Sequence, residues 1–155
     1  MTGLSGVAIR RLKVLTDEQK AMERSLIYVS HRRASAADVA DIVDISRIRN
    51  ARLQVTGALI ATEARFDQIL EGPRGAIDEL MDSIRRDRRH ERVEVAQDRS
   101  VAARQFSHWT LAYSGASVFA DRLIGALATG GSEKPTAHDL KRLVDFMREF
   151  ARTAP

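Results

Sequence analysis

The chain has 155 residues, 44% of them hydrophobic and 30% charged, with a net charge of +4 from 25 basic and 21 acidic side chains. That length and composition suit one globular domain with a proper core, which excludes a disordered tail, and no apolar run approaches the ~20 residues that span a bilayer. The complete absence of cysteine excludes thiolate catalysis, disulfides and cysteine-ligated zinc.

Residues 1–24 are polar and basic, with T-D-E-Q at 16–19 reading as a capped helix start. SLIYVS at 25–30 is a short apolar, β-branched run and is predicted as a strand. Ser35 with Asp38 three residues on forms a capping box, and Val39, Ile42, Val43 and Ile45 give the helix that follows its apolar face as far as about Leu53. VTGALIA at 55–61 and RFDQIL at 65–70 are two strands joined by a tight turn. After the break E-G-P-R-G, a second helix over 76–86 carries Ile77, Leu80, Met81 and Ile84 on one side. Residues 92–97 and 106–114 read as two further strands. Two amphipathic helices, 118–128 and 137–152, follow around T-G-G-S.

The order β-α-β-β-α-β-β predicts an α+β ferredoxin-like sandwich over 25–114, one sheet with two helices on one face. Residues 1–24 form an N-terminal extension in this reading, and 115–155 a C-terminal helical extension. Leu123, Ile124 and Leu127, then Leu140, Leu143, Val144 and Met147, give the two C-terminal helices apolar faces that need covering. A cap, an oligomer contact or an output element would each meet that need.

Within the sandwich, several polar residues stand where apolar ones are expected. Ile42, Ser46 and Asn50 share one helical stripe. Composition favours the polar edge of a helix there over a binding stripe. In R-F-D-Q-I-L, alternation places Phe66, Gln68 and Leu70 on one face, so Gln68 either lies on a half-wet edge strand or needs a buried partner. Tyr28 and Trp109 are read most simply as core aromatics. The run R-R-D-R-R-H at 85–90, which includes Arg89 and His90, fits a solvated helix end better than a phosphate clamp. Four histidines with none at i, i+4 spacing give no metal pair. No nucleophile triad, phosphate loop or paired carboxylates are present, so an enzyme is the weakest reading.

The residues L-I-Y-V-S at 26–30, S-R-I-R-N-A at 46–51, T-G at 56–57, F-D-Q-I-L-E-G-P at 66–73, D-R-R-H at 87–90 and R-Q-F-S-H-W at 104–109 together resemble the BLUF family, blue-light sensors that use FAD. The resemblance covers 25–114, and its order and separations are specific where each piece alone is weak. It implies non-covalent FAD between the two helices, its ring sandwiched by Ile42 and Ile84, with Asn50 on the polar edge of the ring. Arg89 and His90 would lie toward the phosphate and adenine portion. Tyr28 matches the electron and proton donor, and Gln68, beside Phe66, the amide linking that phenol to the flavin. Ser46 and Trp109 match positions near the ring. Three positions depart from the family pattern: Leu111 replaces a usual methionine, Ser83 a common arginine and Ala61 a frequent tyrosine.

The resemblance therefore implies a cytoplasmic, non-catalytic photoreceptor. In it, rearrangement of the Gln68 hydrogen bonds signals through the last strand and the C-terminal helices to a homo-oligomer contact or an unidentified protein partner. Neither a membrane nor a nucleic acid is expected as partner, since basic and acidic residues are interleaved and aromatics few. The alternative is a BLUF-shaped interaction module that no longer reads light and whose basic surface binds a protein or nucleic-acid partner.

Overall fold

The computed structural model describes residues 22–115 and 136–153, so the expected helix start at 16–19 and the helix expected over 118–128 lie outside the described residues. The elements are β1 (Glu23–Arg32), α1 (Ala36–Leu53), β2 (Thr56–Ala61), β3 (Arg65–Gly72), α2 (Arg74–Arg86), β4 (His90–Val101), β5 (Ala112–Ser114) and α3 (Ala137–Thr153). The strands form one sheet in the order β4-β1-β3-β2-β5. Pairs β1/β3, β1/β4 and β2/β3 are antiparallel and β2/β5 is parallel. This is the expected ferredoxin-like arrangement, with β3 at the centre.

Helix α1 starts where the capping box places it. Ser35 Oγ accepts from the Asp38 amide at 3.1 Å, and Asp38 Oδ2 accepts from the Ser35 amide at 3.0 Å. It ends at Gln54, whose φ of 58° turns the chain sharply toward β2. Gly57 follows in β2 because nothing larger fits: a Cβ there would stand 2.0 Å from the Ile69 carbonyl oxygen.

The side chains of each strand divide between two packed layers. One face of the sheet carries Leu26, Tyr28, Leu59, Phe66 and Leu70, packed against Val39, Ile42 and Val43 of α1 and Ile77, Leu80, Met81 and Ile84 of α2. The other carries Ile27, Ala58, Ile60 and Ile69, covered by Leu140, Leu143, Met147 and Ala151 of α3. Those α3 residues recur at steps of three and four, so they form one stripe. Helix α3 thus completes the core on the sheet's second face.

Two expectations for the strands need correcting. Strand β4 runs over His90–Val101 rather than 92–97, following β1 along its whole length with two register shifts. Arg92 takes up part of that irregularity with a φ of 52°. Residues 106–111 are not strand at all, and only Ala112–Ser114 pairs with β2. The reason is the buried Glu71 carboxylate, whose Oε1 accepts the amides of Gln105 and Phe106 at 2.7 and 2.9 Å. Those donors are satisfied by a side chain rather than by a ladder, and Phe106 turns into the α3-side core.

Candidate functional site

The antiparallel register of β1 and β3 sets Tyr28 directly opposite Gln68, both on the face toward α1 and α2. Tyr28 is 1% and Gln68 5% exposed, and Tyr28 Oη donates to Gln68 Oε1. Burial, aided by the Asp67 carboxylate and opposed by the Arg49 charge, holds the phenol far above its ordinary pKa. The hydroxyl therefore stays protonated and remains a donor. Because β3 is the central strand, the half-wet edge reading of Gln68 is excluded.

Above this pair, α1 and α2 stand apart and leave a cleft of about 520 Å³ including its mouth. Ile42, Ser46, Arg49 and Asn50 line it from α1, Ser83 and Ile84 from α2, and Tyr28, Leu59, Gln68 and Leu70 from the sheet. Ser46 and Asn50 are buried rather than at a polar helix edge, and Asn50 Nδ2 donates to the Thr110 carbonyl at 2.9 Å. That bond ties the cleft wall to the segment leading into β5, as does Arg47 Nε to the Leu111 carbonyl at 3.3 Å.

The 85–90 run divides in two. Arg85 and Arg86 close the exposed C-terminus of α2, as cations suit a helix end. Arg89 and His90 reach the cleft. His90 is buried, its Nδ1 lies 3.0 Å from Ser30 Oγ, and its ring packs 4.4 Å from that of Phe66. Burial lowers its pKa to about 4, so it is neutral near pH 7. Arg89 pairs with Asp87 at 2.8 Å and Asp41 at 3.5 Å. Burial alone would raise the Asp87 pKa, but the Arg89 hydrogen bonds outweigh it and hold the carboxyl below its ordinary range.

Phe66 is wholly buried beneath the His90 ring. Trp109, like Phe66, is a candidate that does not line the cleft. Its indole lies on the α3 side, 6.5 Å from the Phe106 ring and 5.9 Å from His108, in a groove shared with Asp145 and Arg148. Leu111 takes the opposite side, buried with Leu59 and Phe66. Alternation fails here because the backbone turns, with the Trp109 amide bonded to the Phe106 carbonyl.

Sequence reasoning missed Arg49 and Leu59 as lining residues. Arg49 lies seven residues after Ile42, on the same helical stripe, so a signal was available.

Comparison with known proteins bears on what such a cleft holds. The family model described as BLUF, sensors of blue-light using FAD, matches residues 24–112. The chain is 36% identical over 90 residues to the photoactivated adenylate cyclase subunit beta of Euglena longa, a match covering 56% of this chain and 10% of that protein. Among solved structures, the dark state of BlrB, a BLUF protein, superposes with a TM-score of 0.70 at 30% identity, covering 86% of this chain and 98% of that one. The photo-activated state of BlsA gives a TM-score of 0.70 at 21% identity, covering 82% and 95%, a likeness of fold alone. The chain spans about a tenth of the length of the cyclase subunit it matches.

Proposed function

Because the chain belongs to the BLUF family, whose members are sensors of blue light using FAD, we propose that it is a blue-light photoreceptor in which Tyr28 and Gln68 form the light-responsive pair. The observation that carries this reading is their buried hydrogen bond at the floor of the cleft. The residues present fit a flavin. Ile42 and Ile84 give apolar walls on the two helices, Asn50 and Gln68 give amides, and the buried Nε of Arg49 lacks a partner.

When bound, FAD supplies absorption of blue light and, once excited, a strong one-electron oxidant. The protein's part is to place a donor and a switch beside it. Tyr28 is the electron and proton donor, its proton held at Oη and already directed at Gln68 Oε1. Gln68 presents an acceptor at one end of its amide and two donors at the other. While Tyr28 donates, the acceptor end is engaged. Once the phenol proton is given up, a turned or tautomerised amide offers a donor where it offered an acceptor. The polar lining of the cleft is then rewired with no covalent bond to the cofactor, so the absence of cysteine is no obstacle.

Ile42, Ser46, Asn50 and Ile84 hold the ring in this account, with Arg89 and His90 toward the remainder of the cofactor and Phe66 backing His90 from beneath. The bonds from Asn50 to Thr110 and Arg47 to Leu111 support a route out of the cleft toward β5. Helix α3 packs on the far face of that sheet and is where a partner, or a second copy, would sense the change. The likeness to the cyclase subunit does not extend a catalytic role to this domain, which reads as a sensor module.

Gln68→Leu tests the assignment. It conserves bulk and deletes the amide, so the variant should bind FAD and lose essentially all of the light-induced absorption shift, read from light-minus-dark spectra. A normal shift would remove Gln68 from the mechanism.

A further inference from the structure

Helix α1 carries more apolar surface than the core takes up. Val39, Ile42 and Val43 face the sheet. On the outer side Ile45 and Ile48 are 48% and 75% exposed, and they are the large hydrophobic side chains left exposed among the described residues. A lone isoleucine on a surface is ordinary, but two at i, i+3 on one helix form a patch. Ala51, also exposed, continues it toward the end of the helix. The charges of α1 divide into engaged and free. Asp38 is held by the Ser35 amide, Asp41 by Arg89, Arg47 by the Leu111 carbonyl and Arg49 by Ser83. Asp44 and Arg52, four residues before and four after Ile48, are exposed and have neither a hydrogen bond nor an ion pair among the described residues.

We propose that this outer face of α1 is the contact for a second copy of the chain, the two helices packing antiparallel about a twofold axis at Ile48. The order of charges selects that occupant. Asp44 and Arg52 stand roughly 6 Å along the helix on either side of Ile48. Reversing one helix against the other therefore sets Asp44 of each copy opposite Arg52 of the other. In the same arrangement Ile48 meets Ile48 at the axis, and Ile45 lies opposite Ala51, whose small side chain lets the backbones approach. A parallel pair would set like charges against each other instead. The antiparallel contact is self-complementary and closes at two copies. A single helix pair buries less than the roughly 1,200 Å² at which standard interfaces begin, so the dimer is expected in the micromolar range. Ile45 also lines the mouth of the cleft, so the contact abuts the site described above and leaves α3, on the other face of the sheet, free. None of these contacts involves a flavin.

Sedimentation of the 155-residue chain over a concentration series tests this. Wild type should pass from monomer to dimer. Ile48→Asp should weaken the dimer by about a hundredfold or more, because two carboxylates then meet at the axis. Ile48 is 75% exposed, so the core is untouched, and circular dichroism checks that the variant is folded. Asp44→Arg and Arg52→Asp should each weaken the dimer by about tenfold or more, since each sets like charges across the contact. Mixed in equal amounts, those two variants should form a heterodimer of near wild-type affinity, because both opposed pairs are restored. A wild-type chain that stays monomeric up to about 1 mM, far above the range expected, would overturn the proposal. A dimer indifferent to Ile48→Asp would overturn it too, by placing the contact on another face such as that of α3. Charge variants that dimerise as wild type does, or that fail to recover on mixing, would overturn the antiparallel pairing and the proposal with it.

Discussion

Tyr28→Phe is expected to bind FAD and to show no light-induced red shift. The substitution removes a single hydroxyl from a ring that is 1% exposed and packed among Leu26, Leu70 and Leu80, so little volume is lost and the cleft wall stays in place. What disappears is the donor to Gln68 Oε1. The amide then lacks both the proton it would receive and the partner that fixes its dark orientation. Leaving that acceptor unpaired costs ~1–3 kcal/mol, which lowers stability modestly without removing the cofactor. The amplitude of the light-minus-dark spectrum should fall to the baseline at full flavin occupancy. A variant with wild-type amplitude would show that the phenol is not the donor.

The Tyr28–Gln68 pair was half legible in the sequence. Alternation placed each residue on a face, but whether Gln68 sat at a wet edge depended on β3 lying between β1 and β2, a long-range pairing that local pattern does not carry. Ser46 and Asn50 posed the same problem. A hydroxyl and an amide on a helical stripe look alike whether they meet solvent or a cleft, and only the placement of α2 across from α1 decides it. The capping box, the hairpin and the apolar faces of α1 and α2 were readable because their causes are local. The 106–111 segment looked like a strand because it is aromatic and apolar. It is held instead by Glu71, more than thirty residues away. Arg49 and Asp67 were the hardest to see, since an arginine on a helix and an aspartate on a strand are ordinary surface residues until another layer covers them.

Asp67 carries the second large effect. It neighbours Gln68 but points to the opposite face, at register with Val29 and Ile60. It is 0% exposed, and neither carboxylate oxygen has a partner. Burial raises its pKa to about 7, with Arg65 pulling weakly the other way. The folded state therefore holds a proton that the unfolded chain releases near pH 4. The stability that Asp67 contributes falls as pH rises between those two values and is level above the higher one. A difference of about three pKa units corresponds to roughly 4 kcal/mol at most.

Asp67→Val replaces the carboxyl with a β-branched apolar group suited to a central strand beside Ile60 and Ile69. At pH 8 the variant should be more stable than wild type by up to that amount, and the gain should shrink toward pH 5. Chemical denaturation of both proteins from pH 5 to pH 8 checks it. Neutral buried His90 contributes an opposite slope at the acid end, but it is common to both proteins, so the difference between the two profiles isolates Asp67. Parallel profiles would mean that the carboxylate is not buried in its charged form.

The most direct test of the photoreceptor account is the absorption spectrum of the purified full-length chain, recorded in darkness and again after blue light. The account predicts a flavin spectrum that shifts slightly to the red under illumination and relaxes in the dark, with the cofactor released intact on denaturation. A bound flavin that only bleaches, or whose spectrum does not move, would contradict the role given to Tyr28 and Gln68. A colourless chain that cannot be loaded with FAD would contradict the account at its root and favour a light-insensitive interaction module.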